Sequence, residues 1–374
     1  SGAWPITVDG APYTLQTRYT YSGVPIHKAT QYAGEYLSHL GLQVEVHQWA
    51  GPTYPNVIAE LPGETHPEQI VIVCAHLDST SPSASTNAPG ADDNASGSSG
   101  VLLAASLLSQ YRWDVTLRFA LWTGEEQGLN GSEAYAVRAA ANGEQIIAVL
   151  NMDMIAYDSN TAPIVDLHAR SWLPDSVSLA NLFTSVVQAY QLDLAPQIFI
   201  DDWLGNYSDN ASFWAEGYTA ILIIEDDDDF TPYYHTTGDT LATLNLDFFS
   251  ENTRATIATA AHVSGGPLQS AVTGLVSDTV NATAVSSATL RFDHAAYTPI
   301  TATSSLTGSY AITLPIGTYT LTVTAPGFIT ATLPLTLPAH TLVRQDVPLQ
   351  PVYVPPPVYW LYLPLLHHEP ANLP

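Results

Sequence analysis

The chain has 374 residues, 46% of them hydrophobic and only 12% charged, a globular composition long enough for two or three domains with cores of their own. Nine lysines and arginines stand against 35 aspartates and glutamates, a net charge of −26, so the surface repels nucleic acid and anionic membranes and favours cations. No run approaches the ~20 apolar residues of a membrane span, and the single cysteine, Cys74, sits in an apolar run and reads as a small buried hydrophobe.

Apolar residues at 26, 29, 33, 37 and 40 recur at three- and four-residue steps, which predicts an amphipathic helix ending at Gly41. β-type runs follow at 44–49, 57–61 and 70–75, then a helical stretch over 97–110. Strands at 115–122 and 146–152 flank a helix over 129–141; a helix over 176–190, a strand over 220–224 and a helix over 246–263 complete the series. Strands alternating with helices predict an α/β layer architecture with a largely parallel central sheet. The Gly265-Gly266-Pro267 break closes this first domain, expected to span 1–265. Beyond it Thr, Val and Ala dominate, and alternation over 319–324 with turn signals at 307–309, 316–317 and 326–327 predicts a small β-sandwich over 268–350. The remainder, 351–374, reads as a Pro-rich apolar tail too short to cross a membrane.

Acids and histidines gather just past the ends of the expected strands, where open α/β sheets place their ligand sites. His76 and Asp78 follow the third run, Glu125 and Glu126 the fourth, and Asp153 the fifth; Asp92 and Asp93 lie in a Gly-containing loop, and His235 comes after the 220–224 strand and the acidic run 226–229. Two imidazoles with several carboxylates form a mixed N/O set that suits Zn²⁺, and a shared carboxylate allows a two-metal site. A neighbouring carboxylate that binds no metal can then take the proton of an attacking water. The acidic run reads as a solvated loop, with the rim of the cleft or a Ca²⁺ site as its alternatives.

The strings AHLDST from Ala75, PGADDNASG from Pro89, WTGEEQGLNGS from Trp122, NMDMI from Asn151, SDNASF from Ser208 and YHTTGDT from Tyr234 occur in an order that resembles the M28 family of dinuclear zinc exopeptidases, especially its secreted bacterial aminopeptidases. The resemblance covers about residues 20–263 and implies the three-layer zinc exopeptidase fold with two Zn²⁺ per chain. It implies His76 and Asp153 as terminal ligands of one zinc, Glu126 and His235 as those of the other, Asp93 as the bridge and Glu125 as the general base. It further implies that Asp78 orients His76 through the second ring nitrogen, that Tyr234 stabilises the oxyanion, and that the Asp93–Asn94 peptide is cis. One departure is Asn210, where many relatives have His, a position that bears on substrate contacts rather than on metal.

The implied activity is that of an aminopeptidase on peptides with a free N-terminus, with apolar first residues preferred. The same metal set also serves carboxypeptidases, dipeptidases and glutaminyl cyclases, and a non-catalytic binding module on this fold is the remaining rival. The scarcity of basic residues to hold a substrate carboxylate favours the aminopeptidase, and the intact ligand set disfavours the binding module. The strings GLVSD from Gly274 and TGSYAITLPIGTYTLTVTAPGF from Thr307 resemble a carboxypeptidase-regulatory-like, transthyretin-type β-sandwich. A single lysine, many Thr, Ser, Tyr and Pro, and a terminal YLPLL similar to the tails of exported bacterial proteins predict a secreted protein. No feature dictates an oligomeric state.

Overall fold

The computed structural model describes residues 5–352 apart from 52, 161, 296, 297 and 340, so nearly all of the expected tail, including Pro355-Pro356-Pro357, lies outside the described residues. The chain divides into two compact units between Leu268 and Gln269. The first opens with a hairpin, β1 (Ile6–Val8) and β2 (Ala11–Tyr13), followed by α1 (Val24–His39). Then come β3 (Gln43–Gln48), β4 (Pro55–Leu61), β5 (His66–His76), α2 (Gly97–Leu108), β6 (Val115–Trp122), α3 (Asn130–Ala141) and β7 (Gln145–Met152). The unit closes with β8 (Ile164–Ala169), α4 (Pro174–Tyr190), β9 (Ala195–Ile200), α5 (Asn210–Ala215), β10 (Ala220–Glu225) and α6 (Leu246–Val263).

Eight strands form one sheet in the order β3-β4-β6-β5-β7-β10-β8-β9. Its centre is parallel, through the pairs β6/β5, β5/β7 and β7/β10, and β9 runs parallel to β8. β3/β4, β4/β6 and β10/β8 pair antiparallel. The sheet is therefore mixed, with its parallel stretch in the middle.

Alternation in β5 explains the layers. Successive side chains of a strand point to opposite faces, and Val71, Val73 and Ala75 join a core with α1, α2, α4 and α6, while Ile70, Ile72 and Cys74 join a second core with α3 and α5. A sheet covered on both faces needs strands that are apolar throughout, which is why the runs in β5, β6 and β7 read so clearly. Because β5, β6, β7 and β10 share one direction, their C-terminal ends open on the same edge.

The second unit holds two four-stranded sheets. One contains β11 (Gln269–Asp278), β14 (Ser309–Pro315) and β17 (Leu342–Arg344), with β18 (Val347–Leu349) also pairing β11; the other contains β12 (Thr289–Asp293), β13 (Ile300–Thr303), β15 (Gly317–Thr324) and β16 (Ala331–Leu337). Val272, Leu290, Phe292, Tyr319, Leu321 and Leu335 pack among its buried core residues.

Candidate active site

The C-terminal edge of the parallel strands brings the sequence-predicted residues together. His76 ends β5, Asp153 follows β7, Glu125 and Glu126 follow β6, and Asp93 lies in the turn before α2, where its peptide to Asn94 is cis. His76 Nε2 lies 3.1 Å from Asp153 Oδ1 and 3.2 Å from Asp93 Oδ1. The other Asp93 oxygen, Oδ2, lies 3.2 Å from His235 Nε2, which is itself 2.9 Å from Glu126 Oε2. Asp93 thus presents one oxygen to each of two His–carboxylate pairs. Glu125 stands beside them, its Oε2 3.9 Å from His76 Nε2.

This arrangement fits zinc. Donor atoms on a tetrahedral ion with bonds of about 2.0 to 2.1 Å lie roughly 3.3 Å apart, close to the separations here. Donor atoms of His76, Glu125 and Asp153 all fall within 4.8 Å of one another, as do those of His76, Asp93 and Glu126. Glu126 Oε1 is buried without a hydrogen-bond partner, an acceptor that a cation would satisfy.

The electrostatics show how short of positive charge the cluster is. Burial pushes the Glu125 carboxyl well above the usual range, the nearby His76 opposing and Asp153 adding to the rise. Burial and the Asp93 charge raise Glu126 to about 7. Asp93 falls below the usual range in spite of its burial, because hydrogen bonds from His235 and His76 stabilise its charge. Burial opposes the charged form of His235, yet Asp93 and Glu126 outweigh it and carry the ring up to about 10.

Surrounding groups brace the cluster. Both oxygens of Asp239 accept backbone N–H groups, from Asp92 at 2.8 Å and Asp93 at 3.0 Å, so the segment bearing His235 clamps the turn bearing Asp93. Arg18 is buried and donates to the carbonyls of Leu77, Pro89 and Gly90 at 2.7, 2.8 and 2.8 Å, joining the end of β5 to the Asp93 loop. Ser208 Oγ donates to Asp153 Oδ2 at 2.6 Å. The backbone carbonyl of Asp78 lies 3.1 Å from His76 Nδ1, and its carboxylate Oδ1 lies 3.7 Å away. The Asp78 carboxylate accepts the Thr20 hydroxyl at 2.7 Å and faces the amides of Glu125 and Glu126 at 3.4 and 3.3 Å. It therefore ties the loop after β6 to the end of β5. Sequence reasoning missed Arg18, Thr20 and Ser208 as braces; only Ser208 lay within one of the strings.

Tyr234 stacks on His235 with ring centroids 3.7 Å apart, and burial together with the Asp93 charge pushes its hydroxyl well above the usual tyrosine range. Asn210 is buried and donates to the Gly205 carbonyl at 2.8 Å, so it supports a loop and is not among the residues lining the cleft. In the acidic run, Asp226 accepts the Asp228 amide at 3.0 Å, and Asp229 accepts the Ser159 amide and hydroxyl at 2.7 and 2.6 Å. Asp227 and Phe230 line the cleft, and none of residues 226–229 belongs to a metal-compatible group among the described residues. The cleft itself holds about 260 Å³.

With this geometry in view, comparisons with known proteins are specific. The model of Peptidase family M28 matches residues 56–260, and that of the carboxypeptidase regulatory-like domain matches residues 271–350. The chain is similar to leucine aminopeptidase 1 of Sclerotinia sclerotiorum, 30% identical over 225 residues that cover 56% of this chain and 55% of that protein. It thus spans about half the length of the curated relatives it matches. In fold it is similar to the LapA aminopeptidase of Legionella pneumophila, with a TM-score of 0.58 at 20% identity, covering 67% of this chain and 68% of that one. It also resembles the Fimbriiglobus ruber glutaminyl cyclase, with a TM-score of 0.52 at 18% identity, covering 65% and 89%.

Proposed function

The chain belongs to peptidase family M28, and from that premise we propose that it is a secreted aminopeptidase, holding two zinc ions, that removes the first residue from peptides with a free α-amine. The observation that carries the reading is Asp93, whose two oxygens each face one His–carboxylate pair at 3.2 Å. His76 and Asp153 would hold one ion, His235 and Glu126 the other, with Asp93 between them. Held by these residues, zinc would supply polarisation of the scissile carbonyl and a water made more nucleophilic at neutral pH.

The protein's own groups supply the rest. Glu125, whose carboxyl burial keeps basic, takes a proton from the attacking water and returns it to the leaving amine. Tyr234 donates its hydroxyl to the developing oxyanion. The substrate ammonium rests against Glu125 and Asp153. No lysine or arginine lines the cleft among the described residues; Arg170 donates to the Asp202 carbonyl at 2.8 Å and stacks over Trp214 at 4.1 Å, and Arg254 pairs with Glu251 at 2.6 Å. A substrate carboxylate therefore has no lysine or arginine in the cleft to hold it, which favours the amino end.

Peptides with free and acetylated N-termini, incubated with the zinc-loaded protein and read by mass spectrometry, test the assignment. Stepwise loss from free amino ends alone is expected. Equal shortening of blocked peptides, or loss from the carboxyl end, would overturn it. Secretion rests on the single lysine, the many Thr, Ser, Tyr and Pro and the β-rich C-terminal part, and immunodetection in the culture medium rather than the lysate of the producing organism checks it.

A further inference from the structure

The cleft continues from the metal-binding cluster across the sheet, and its far end is built on β8 and β10. Val165 and Leu167 of β8 and Ile221 and Ile223 of β10 enter the core, so the alternate residues Asp166, His168, Leu222 and Ile224 face the cleft. The antiparallel register sets Ile224 beside Asp166 and Leu222 beside His168. A pocket for an apolar side chain would have four apolar residues here. Instead two are polar, only 1% and 2% exposed, and each carries an atom without a hydrogen-bond partner: Asp166 Oδ1 and His168 Nδ1.

The charged side chains lining this end are acidic, Arg170 acting on His168 from outside the lining. Asp166 Oδ2 accepts the Asp227 amide at 3.1 Å, and Asp227 itself lines the cleft from an exposed loop. Burial holds His168 down at about 4, so its ring is neutral and can accept a hydrogen bond. An apolar side chain closing over Asp166 would leave a buried carboxylate uncompensated, whereas a cation offsets that desolvation.

We infer that the first side chain of the substrate is lysine or arginine, its aliphatic stem on Leu222 and Ile224 and its charged head against Asp166 and Asp227. The inference rests on the aminopeptidase reading and departs from the apolar first residue that the family resemblance implies. Reach agrees with it. β10 lies between β7, which leads into Asp153, and β8, so two strand spacings separate Asp153 from Asp166, about 10 Å. A lysine side chain spans roughly 6 Å from Cα to its nitrogen, and its Cα sits one further bond from the reacting carbonyl; leucine stops well short. At the mouth Trp203, 64% exposed, and Phe230 offer aromatic faces to such a stem and head.

The test compares kcat/KM of the zinc-loaded enzyme on Lys-, Arg-, Leu- and Phe-p-nitroanilide. Lys or Arg should exceed Leu by about 10-fold or more, and Asp166→Asn, of the same shape, should lower the Lys-to-Leu ratio by about 10- to 100-fold. Asp227→Asn, on the exposed loop, should lower that ratio less and in the same direction. A measurement free of any variant is inhibition of Leu-p-nitroanilide hydrolysis, where free lysine should act at lower concentration than norleucine. A wild-type enzyme that prefers Leu, or a ratio that neither variant moves, overturns the inference while the aminopeptidase reading stands. Hydrolysis of none of the four substrates overturns both.

Discussion

Glu125 and Glu126 are neighbours in the chain with opposite tasks in the proposed reaction, and geometry separates them. Glu126 Oε2 lies 2.9 Å from His235 Nε2, within one His–carboxylate pair, whereas Glu125 Oε2 stands back from His76 Nε2, at 3.9 Å. Glu126→Ala should therefore lower zinc content, and Glu125→Ala should keep the metal and lose roughly 10² to 10⁴ in turnover. Metal analysis beside kcat decides it: near-normal turnover in Glu125→Ala would remove it from the role of base. At this scale most of the site was legible, because each of these residues sits in a short string at a strand end whose chemistry is local. Arg18 was not, since its three acceptors are backbone carbonyls 59 to 72 residues away, and a carbonyl leaves no trace in a sequence. Asp166 and His168 escaped for another reason: nothing in the sequence says that two polar residues of an unread strand face a cleft.

Among the elements, the apolar strands at the centre of the sheet announced themselves, and three of those that did not, β8, β9 and α5, are explained by their surroundings. β8 carries Asp166 and His168 at alternate positions toward the cleft, which breaks the apolar run that marks a buried strand. β9 is the last strand of the sheet, and its Pro196 argues against a central strand. α5 has only six residues, too few for a helical period to show. The turn before α2 and the segment after β10 are joined by Asp239, and their union matters for metal. Asp239→Ala removes the acceptor of the Asp92 and Asp93 amides and should weaken zinc affinity by about 10- to 100-fold. Competition with a chelator measures that loss, and activity lost at limiting zinc should return in excess zinc; an unchanged affinity would show that the turn holds its shape without the clamp.

For the whole molecule, the two units have separate cores: the buried clusters of the first draw on residues up to Ala260, and that of the second begins at Val272. A chain ending at Leu268 should fold, take up zinc and cleave a small chromogenic substrate with kcat within about threefold of the full chain, since no residue of the proposed chemistry lies beyond His235. Circular dichroism and the same assay follow it; insoluble or inactive protein would show that the second unit completes the first. The composition break at Gly265-Gly266-Pro267 falls beside this division, and the alternation of β15 marked the second unit as β-structure.

Cys74 lies in the middle of β5, paired with Ala120 on one side and Asn151 on the other, fully buried, its thiol pushed well above its usual pKa by that burial. As the sole cysteine of the chain, it has no partner for an internal cross-link, and a protonated thiol inside a packed sheet offers oxidants no thiolate to attack. Passage from reducing to oxidising surroundings therefore makes and breaks no disulfide within the chain. Its durability there owes nothing to a cross-link within the chain, so unfolding it leaves no scrambled bridges to undo on the way back.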